Sequence, residues 1–434
     1  MGLRLEVADS DGAQRTGSLA GLRARLERAS ARRGVWALAD QAAVSLGSFL
    51  TAIIVARSFS PADYGVYALT LGVVLLFVTF NAALVTSRLS IEGAGVDSRG
   101  LARLTGASVI LAAAVATAGA ITLAYATRVL DHGHIAPFAA AALGCWLIQE
   151  TVRRALMAHL HYRQAVLGDV LSYLGQVGIV WALAQRGQLT LESAFASIAV
   201  TSFLACIVQA AQLGIEWPSI AEVQAIAVRS WRFGRWLLLG NLAGIVTIQG
   251  LPWILALARG AAGAGALQAA VNVLGVTNPI MFAVGNLIIP GAAHGRRQGG
   301  ISLAMRTAFT YASFGAALLA PCYAVVLLWP SEVLSVFYGP SSPYADLVNV
   351  LRVYVLVYCF TYVATILNGV LTSLERSRYV FYAQFASALG AVIIGLPLIA
   401  MGGLTGAVFG SLAASIAYAG AGVVLLRRTQ LQLA

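Results

Sequence analysis

Three carboxylates, Asp40, Glu150 and Asp169, stand inside long apolar stretches of this chain. An ionised group at membrane depth costs several kcal/mol unless it is paired, faces water or snorkels to the interface. Glu150 precedes Arg153 and Arg154 by three and four residues, so both guanidiniums share its helix face. Asp169 continues through Tyr173 and Gln176 as a polar stripe, and Asp40 continues less regularly through Ser48 and Thr51. No basic residue lies within a helical turn of Asp40 or Asp169, so both are expected to be unpaired acids. Two kinds of chemistry fit. One is a hydrophilic vestibule that handles a proton, a cation or a polar headgroup. The other is a structural ion-pair network that fastens helix ends at the interface.

The second half of the chain offers amides and prolines instead of charges. Asn241, Gln249 and Pro252 fall in one apolar stretch; Gln268, Asn272, Gly275, Pro279, Asn286 and Pro290 share one helical face of the next. A polar, proline-broken face in lipid must point at a cavity or at a partner helix. The candidate substrate path is therefore Asp40, Glu150, Arg153, Arg154, Asp169, Gln176, Asn241, Gln268 and Asn272. There is no G-x-S-x-G, H-E-x-x-H, P-loop or dinucleotide fingerprint, so no enzyme is expected. The four cysteines lie singly in apolar stretches and the five histidines in loops or at helix ends, and no metal or cofactor is expected.

What positions these residues is a series of apolar stretches separated by short breaks. Twelve of them, near 35–56, 66–87, 104–127, 136–157, 165–185, 191–213, 233–257, 264–290, 303–328, 349–372, 380–400 and 404–426, are each long enough to cross a hydrocarbon core. With 59% hydrophobic and 10% charged residues and a mean hydropathy of +0.82, the chain cannot be a soluble globular domain. An all-α polytopic membrane protein is expected, with twelve transmembrane helices in two six-helix lobes. The basic residues are all arginine, 28 of them, and alternate breaks gather 23 on one side and five on the other. By the positive-inside rule the rich side and both termini are cytoplasmic. The net charge of +11 sits where a cytoplasmic membrane face needs it, so no nucleic-acid partner is expected.

Residues 1–33 are expected to form a polar arm ending in a basic amphipathic segment over 19–33. The first lobe is placed at 34–215, a linker at 216–232 and the second lobe at 233–428. Gly34, Trp36, Leu38 and Gln41 match Gly234, Trp236, Leu238 and Asn241 at an offset of 200. Gly65 matches Gly265 in the same register, and Ala56–Arg57 resembles Ala258–Arg259. These matches predict a parallel internal repeat, an arrangement in which substrate binds between the lobes.

The stretch Ala39–Leu69, ADQAAVSLGSFLTAIIVARSFSPADYGVYAL, resembles the first span and following turn of bacterial polysaccharide flippases, in the multidrug/oligosaccharidyl-lipid/polysaccharide (MOP) exporter superfamily. Ala56–Arg57, Ser60–Pro61, Tyr64–Gly65 and Tyr67–Ala68–Leu69 carry the likeness. Leu334–Ala345, LSVFYGPSSPYA, is similar to that family's segment between spans nine and ten; Glu375–Arg378 and Gly402–Ala407 add a third match. The resemblance implies a two-lobed MOP flippase-like fold in the bacterial inner membrane. It also implies alternating-access transfer of undecaprenyl-pyrophosphate-linked oligosaccharide from the cytoplasmic to the periplasmic leaflet, with a cationic cavity and an ion gradient or membrane potential as driving force. Membrane lipids and envelope glycan-assembly proteins are the other implied partners. The chain departs from that pattern in having no arginine deep in its second half, which leaves Arg153 and Arg154 as the basic pair beside the vestibule. A cation-coupled small-molecule exporter of the same superfamily and a membrane glycan polymerase or ligase are the alternatives; short loops with scattered acids disfavour the enzyme.

Overall fold

The computed structural model describes Trp36 and residues 39–433, and the amphipathic segment expected over 19–33 lies outside the described residues. Those described are helical, with no strand among them. The first six spans are α1 (Ala39–Ser58), α2 (Pro61–Gly93), α3 (Ser98–Val129), α4 (Gly133–Ala158), α5 (Tyr162–Gln185) and α6 (Leu191–Leu213). The sequence caps them locally. Ser60 accepts from the Asp63 amide at 3.1 Å with Pro61 at the first helical position, and Asp97 accepts from the Gly100 amide at 2.9 Å. Thr190 with Ser193 and Ser219 with Glu222 form capping boxes.

The second six begin with α7 (Ile220–Arg259). The eighth span, α8, is Ala261–Gly275 continued by 278–298. It is not the unbroken run expected over 264–290, because Val276 and Thr277 interrupt it and Asn278–Pro279 restarts the helix. Two helices of 51 and 55 residues each hold a glycine in the left-handed region, Gly300 at φ 68° and Gly403 at φ 55°. The chain folds back on itself at both: Gly291 faces Tyr311 and Gly295 faces Leu303 across the first, and Gly406 meets the Leu398 carbonyl across the second. Each long helix is thus two spans, giving α9 (301–328), α10 (Ala345–Ser373), α11 (378–402) and α12 (404–432), with a short helix Pro330–Tyr338 between α9 and α10. The twelve-helix expectation holds, and the molecule is a multi-pass membrane protein.

The two halves are built alike. The α4–α5 turn has a non-glycine residue, Leu160, at φ 60°, with His161 N–H donating to Leu156 at 2.9 Å. The α10–α11 turn repeats this 215 positions later: Glu375 at φ 60° and Arg376 N–H donating to Leu371 at 2.9 Å. Nearer the start of each half the offset is 200, and there the two copies touch. Gly65 abuts the Ala261 carbonyl while Gly265 abuts the Pro61 carbonyl. That reciprocity is the signature of a two-fold axis, here running between α2 and α8. The growth of the offset from 200 to 215 is mostly the α9–α10 connection, where the short helix Pro330–Tyr338 has no counterpart between α3 and α4.

Candidate functional site

The acids of the first half converge on a single guanidinium. Arg153, on α4 and 8% exposed, donates from Nη2 to Asp40 Oδ2 on α1 at 2.5 Å and from Nη1 to Glu150 Oε2 at 2.9 Å. Its Nε donates to Asp169 on α5. Arg154 holds the other oxygen of Glu150 at 2.6 Å and points to the exterior. The expectation that Asp40 and Asp169 are unpaired is therefore wrong. Their partner lies on a neighbouring helix, more than a hundred residues away from Asp40, where spacing along one helix has nothing to say.

Two residues that the sequence did not single out complete the cluster. Gln149 donates to Asp169 Oδ1 at 3.2 Å and to Gln209 Oε1 on α6 at 3.1 Å, and Gln209 donates to the Ala165 carbonyl at 3.0 Å. Fully buried amides in apolar stretches, one adjacent to Glu150, were the available signal. Asp169 ends the α-helical first part of α5, and the π-helical turn Val170–Leu174 follows directly. Such turns break the regular ladder and are common where a helix serves a site. Tyr173 in that turn sits edge-on to Trp146 at 6.3 Å, and its backbone presses against Gly47 of α1. Gln176, two turns beyond Asp169, is half-buried.

Charge counting defines what this arrangement can do. Among the described residues three carboxylates face two guanidiniums, so the fully ionised cluster carries one excess negative charge. One proton, or one bound cation, balances it. Asp40 Oδ1 and Gln149 Oε1 are buried acceptors without a hydrogen-bond partner among the described residues. Buried acceptors left unused in a low-dielectric interior are costly, and a hydrogen-bond donor or a cation would satisfy them.

The overall architecture has known counterparts. A MATE-family multidrug transporter of the MOP superfamily in an inward-facing conformation matches over 93% of this chain and 96% of its own, with a TM-score of 0.62 and 17% identity. The lipid II flippase MurJ in an inward closed conformation matches over 91% and 87%, with a TM-score of 0.69 and 11% identity. A MOP-superfamily transporter from Pyrococcus furiosus, described as having a binding pocket of reversed polarity, matches over 92% and 95%, at 0.61 and 15%. The chain has the MOP transporter fold. No protein-family model and no curated protein sequence matches it.

In the second lobe one of the expected polar residues, Asn272, makes an inter-helix contact. Gln268 donates to Asn272 at 2.9 Å and Asn272 to the Tyr64 hydroxyl at 2.5 Å, tying α8 to α2 beside the glycine contact. Farther along α8, Pro279, Asn286 and Pro290 are exposed, and Asn241 on α7 is half-buried. At the 215 offset the counterparts of Arg153 and Asp169 are Asn368 and Gln384, and Tyr418 of α12 interacts with both amides. The second lobe thus holds an uncharged version of the first lobe's cluster.

Proposed function

We propose that this protein is a flippase that carries a lipid-linked oligosaccharide, with an undecaprenyl-pyrophosphate anchor, across the bacterial inner membrane by alternating access between its lobes. The carrying observation is the meeting of Ala56–Arg57 with Val336–Phe337, inside two segments that resemble polysaccharide flippases and lie some 280 residues apart. The fold shared with a lipid II flippase supports the same substrate class. A pyrophosphate and a hydrated glycan cannot cross hydrocarbon unaided, so the lobes must shield them while the polyprenyl tail stays in lipid. The arginine-rich face, both termini and the segment 216–232, which α7 enters as helix from Ile220, are cytoplasmic in this proposal. Asp40, Glu150, Arg153, Arg154, Asp169 and Gln176 form the coupling vestibule, and Asn241, Gln268 and Asn272 border the path. Partners are the lipid-linked glycan, the surrounding lipids and proteins of envelope glycan assembly.

A second proposal, a cation-coupled exporter of small molecules, is favoured by the acid excess of the Arg153 cluster. One experiment separates them. In cells lacking the protein, undecaprenyl-linked glycan should build up on the cytoplasmic leaflet, out of reach of a periplasmic glycan-labelling reagent. Equal labelling with and without the protein, combined with raised sensitivity to cationic dyes, would establish the exporter instead.

A further inference from the structure

The two halves of this molecule use the same arginine differently. Arg259, at the end of α7, donates from Nη2 to the Ala400 carbonyl at 2.8 Å and so caps the C-terminal end of α11 inside its own lobe. Its counterpart in the first half is Arg57, at the end of α1. The residue 215 positions before Ala400 is Gln185, at the end of α5, and an exact repeat would send Arg57 there. Arg57 instead crosses to the other lobe. Its Nε donates to the Phe337 carbonyl at 2.6 Å and its Nη2 to the Val336 carbonyl at 2.5 Å. Those carbonyls end the short helix Pro330–Tyr338, the element that the second half has and the first lacks. Phe49 of α1 adds an edge-on contact to Phe337 at 5.6 Å.

The surroundings of this contact tie the lobes together at the arginine-poor face. Tyr64 of α2 stands edge-on to Tyr344 at 6.2 Å, and Tyr344 in turn to Tyr338 at 5.0 Å. Tyr338 donates to the Ala269 carbonyl of α8 at 2.8 Å. A cavity of about 290 Å³ opens beside Arg57, walled by Ala56 and Phe59 from one lobe and Gly339–Pro343 from the other. Contact here is thus rimmed by space, and the guanidinium spans it.

We propose that Arg57 is a latch between the lobes, a positioning residue that holds the arginine-poor face closed by capping a helix of the opposite lobe. The inserted helix is the catch. Among the described residues, the other bond between the lobes at this face, Asn272 to Tyr64, joins neutral groups, so the two charge-assisted bonds of Arg57 are the strongest to be broken when the face opens. The role in transport rests on the alternating-access proposal; the latch itself does not.

The test reads lobe separation without any substrate. With the four native cysteines replaced, spin labels are placed at Arg128→Cys and Asp346→Cys, exposed positions on opposite lobes, and the distance distribution is measured in nanodiscs. Arg57→Gln should raise the separated fraction about tenfold, equivalent to about 1.4 kcal/mol. Arg57→Lys should fall between the two, because an ammonium cannot fork onto two carbonyls. Arg259→Gln should leave the distribution as it is. Ala269→Cys, on the face of α8 between Gly265 and Asn272, gives a second readout: its labelling by a maleimide should accelerate about tenfold in Arg57→Gln. A Glu332→Cys/Asp346→Cys pair monitors the short helix within its own lobe and should not change. The proposal is overturned if Arg57→Gln leaves both readouts unchanged, if Arg259→Gln opens the face equally, or if the within-lobe distance shifts. A flippase assay that fails while the distances respond would reject the substrate and keep the latch.

Discussion

Replacing Arg153 by glutamine is the most direct challenge to the candidate site. The change keeps a polar side chain of moderate length and removes the one cation that touches Asp40, Glu150 and Asp169 together. At 8% exposure the guanidinium has little solvent to screen it. Taking one partner out of a buried ion pair costs about 3–5 kcal/mol, because the remaining charge stays buried. Here three carboxylates are left near each other, and only Glu150 keeps a guanidinium, that of Arg154. The upper part of that range is therefore expected for Arg153→Gln. Adding Asp40→Asn and Asp169→Asn removes the two orphaned charges and should recover most of the loss, leaving a deficit of about 1–2 kcal/mol from imperfect hydrogen bonding. The assay is thermal melting in detergent followed by size-exclusion chromatography, with the single, double-Asn and triple variants run together. The single variant should melt several degrees below the parent and the triple variant should regain most of that. If the single variant melts with the parent, Arg153 is not neutralising a buried cluster. If the triple variant is no better than the single, the loss comes from packing and not from charge.

Three further outcomes are expected. Asp40→Asn or Asp169→Asn should abolish gradient-driven transport in vesicles at normal abundance, since either leaves two carboxylates facing two guanidiniums, a cluster balanced without a proton; wild-type rates in both would make these acids structural. Reporter fusions at Ala62, His132, Arg186, Gly260 and Ser341 should all read periplasmic, and cytoplasmic signals at two of them would invert or break the topology. In the linker, Glu216 accepts from Arg103 at 2.9 Å and from Arg99 at 3.1 Å, and the Arg103 hydrogen bond, aided by the two positive charges, holds its carboxyl below the usual 4.5. A lowered folded-state value means that this clasp is fully present above about pH 4.5 and is lost as the pH falls below it. Proteolysis of the 214–219 segment should therefore accelerate on acidification in the parent but be fast and flat with pH in Arg99→Gln/Arg103→Gln.

The parts of this molecule that obey one-dimensional rules were legible in the sequence. Span length and apolarity gave the helices, and the glycines at 300 and 403 fell in breaks that the spacing had already marked. The Glu150–Arg153–Arg154 grouping followed from positions three and four apart on one helix. What stayed hidden was tertiary. Asp40 lies on α1 and Asp169 on α5, and only the packing of both against α4 makes Arg153 their shared partner. The same holds for Gln268 and Asn272: their common face was visible, but whether it met water or α2 depended on how the lobes close. Gln209 was missed because its companions on the helix face, Ser202 and Gln212, are uncharged, and only packing against α4 joins it to Gln149 and Asp169.

The internal repeat explains why the two lobes can share a fold and not a task. Contact on the two-fold axis is made by the backbone around Gly65 and Gly265, which can part without stranding a charge. The ion cluster lies off the axis, inside one lobe, between α1, α4, α5 and α6. Its counterpart positions in the other lobe, Asn368 and Gln384, are neutral, so a proton-linked change of charge at this place is open to the first lobe alone. α1 connects that charge to the interface. It carries Asp40 near one end and Arg57 near the other, 17 residues or about 26 Å apart along the helix. Gly47, midway, is pressed against the backbone of Tyr173, which fixes the half of α1 bearing Asp40 to α5. The half bearing Phe49 and Arg57 is held by the opposite lobe. In the proposed alternating-access cycle, separation of the lobes at the arginine-poor face would require α1 either to release Arg57 or to bend beyond Gly47. Bending would strain the helix that holds Asp40, the acid whose Oδ1 accepts no hydrogen bond among the described residues.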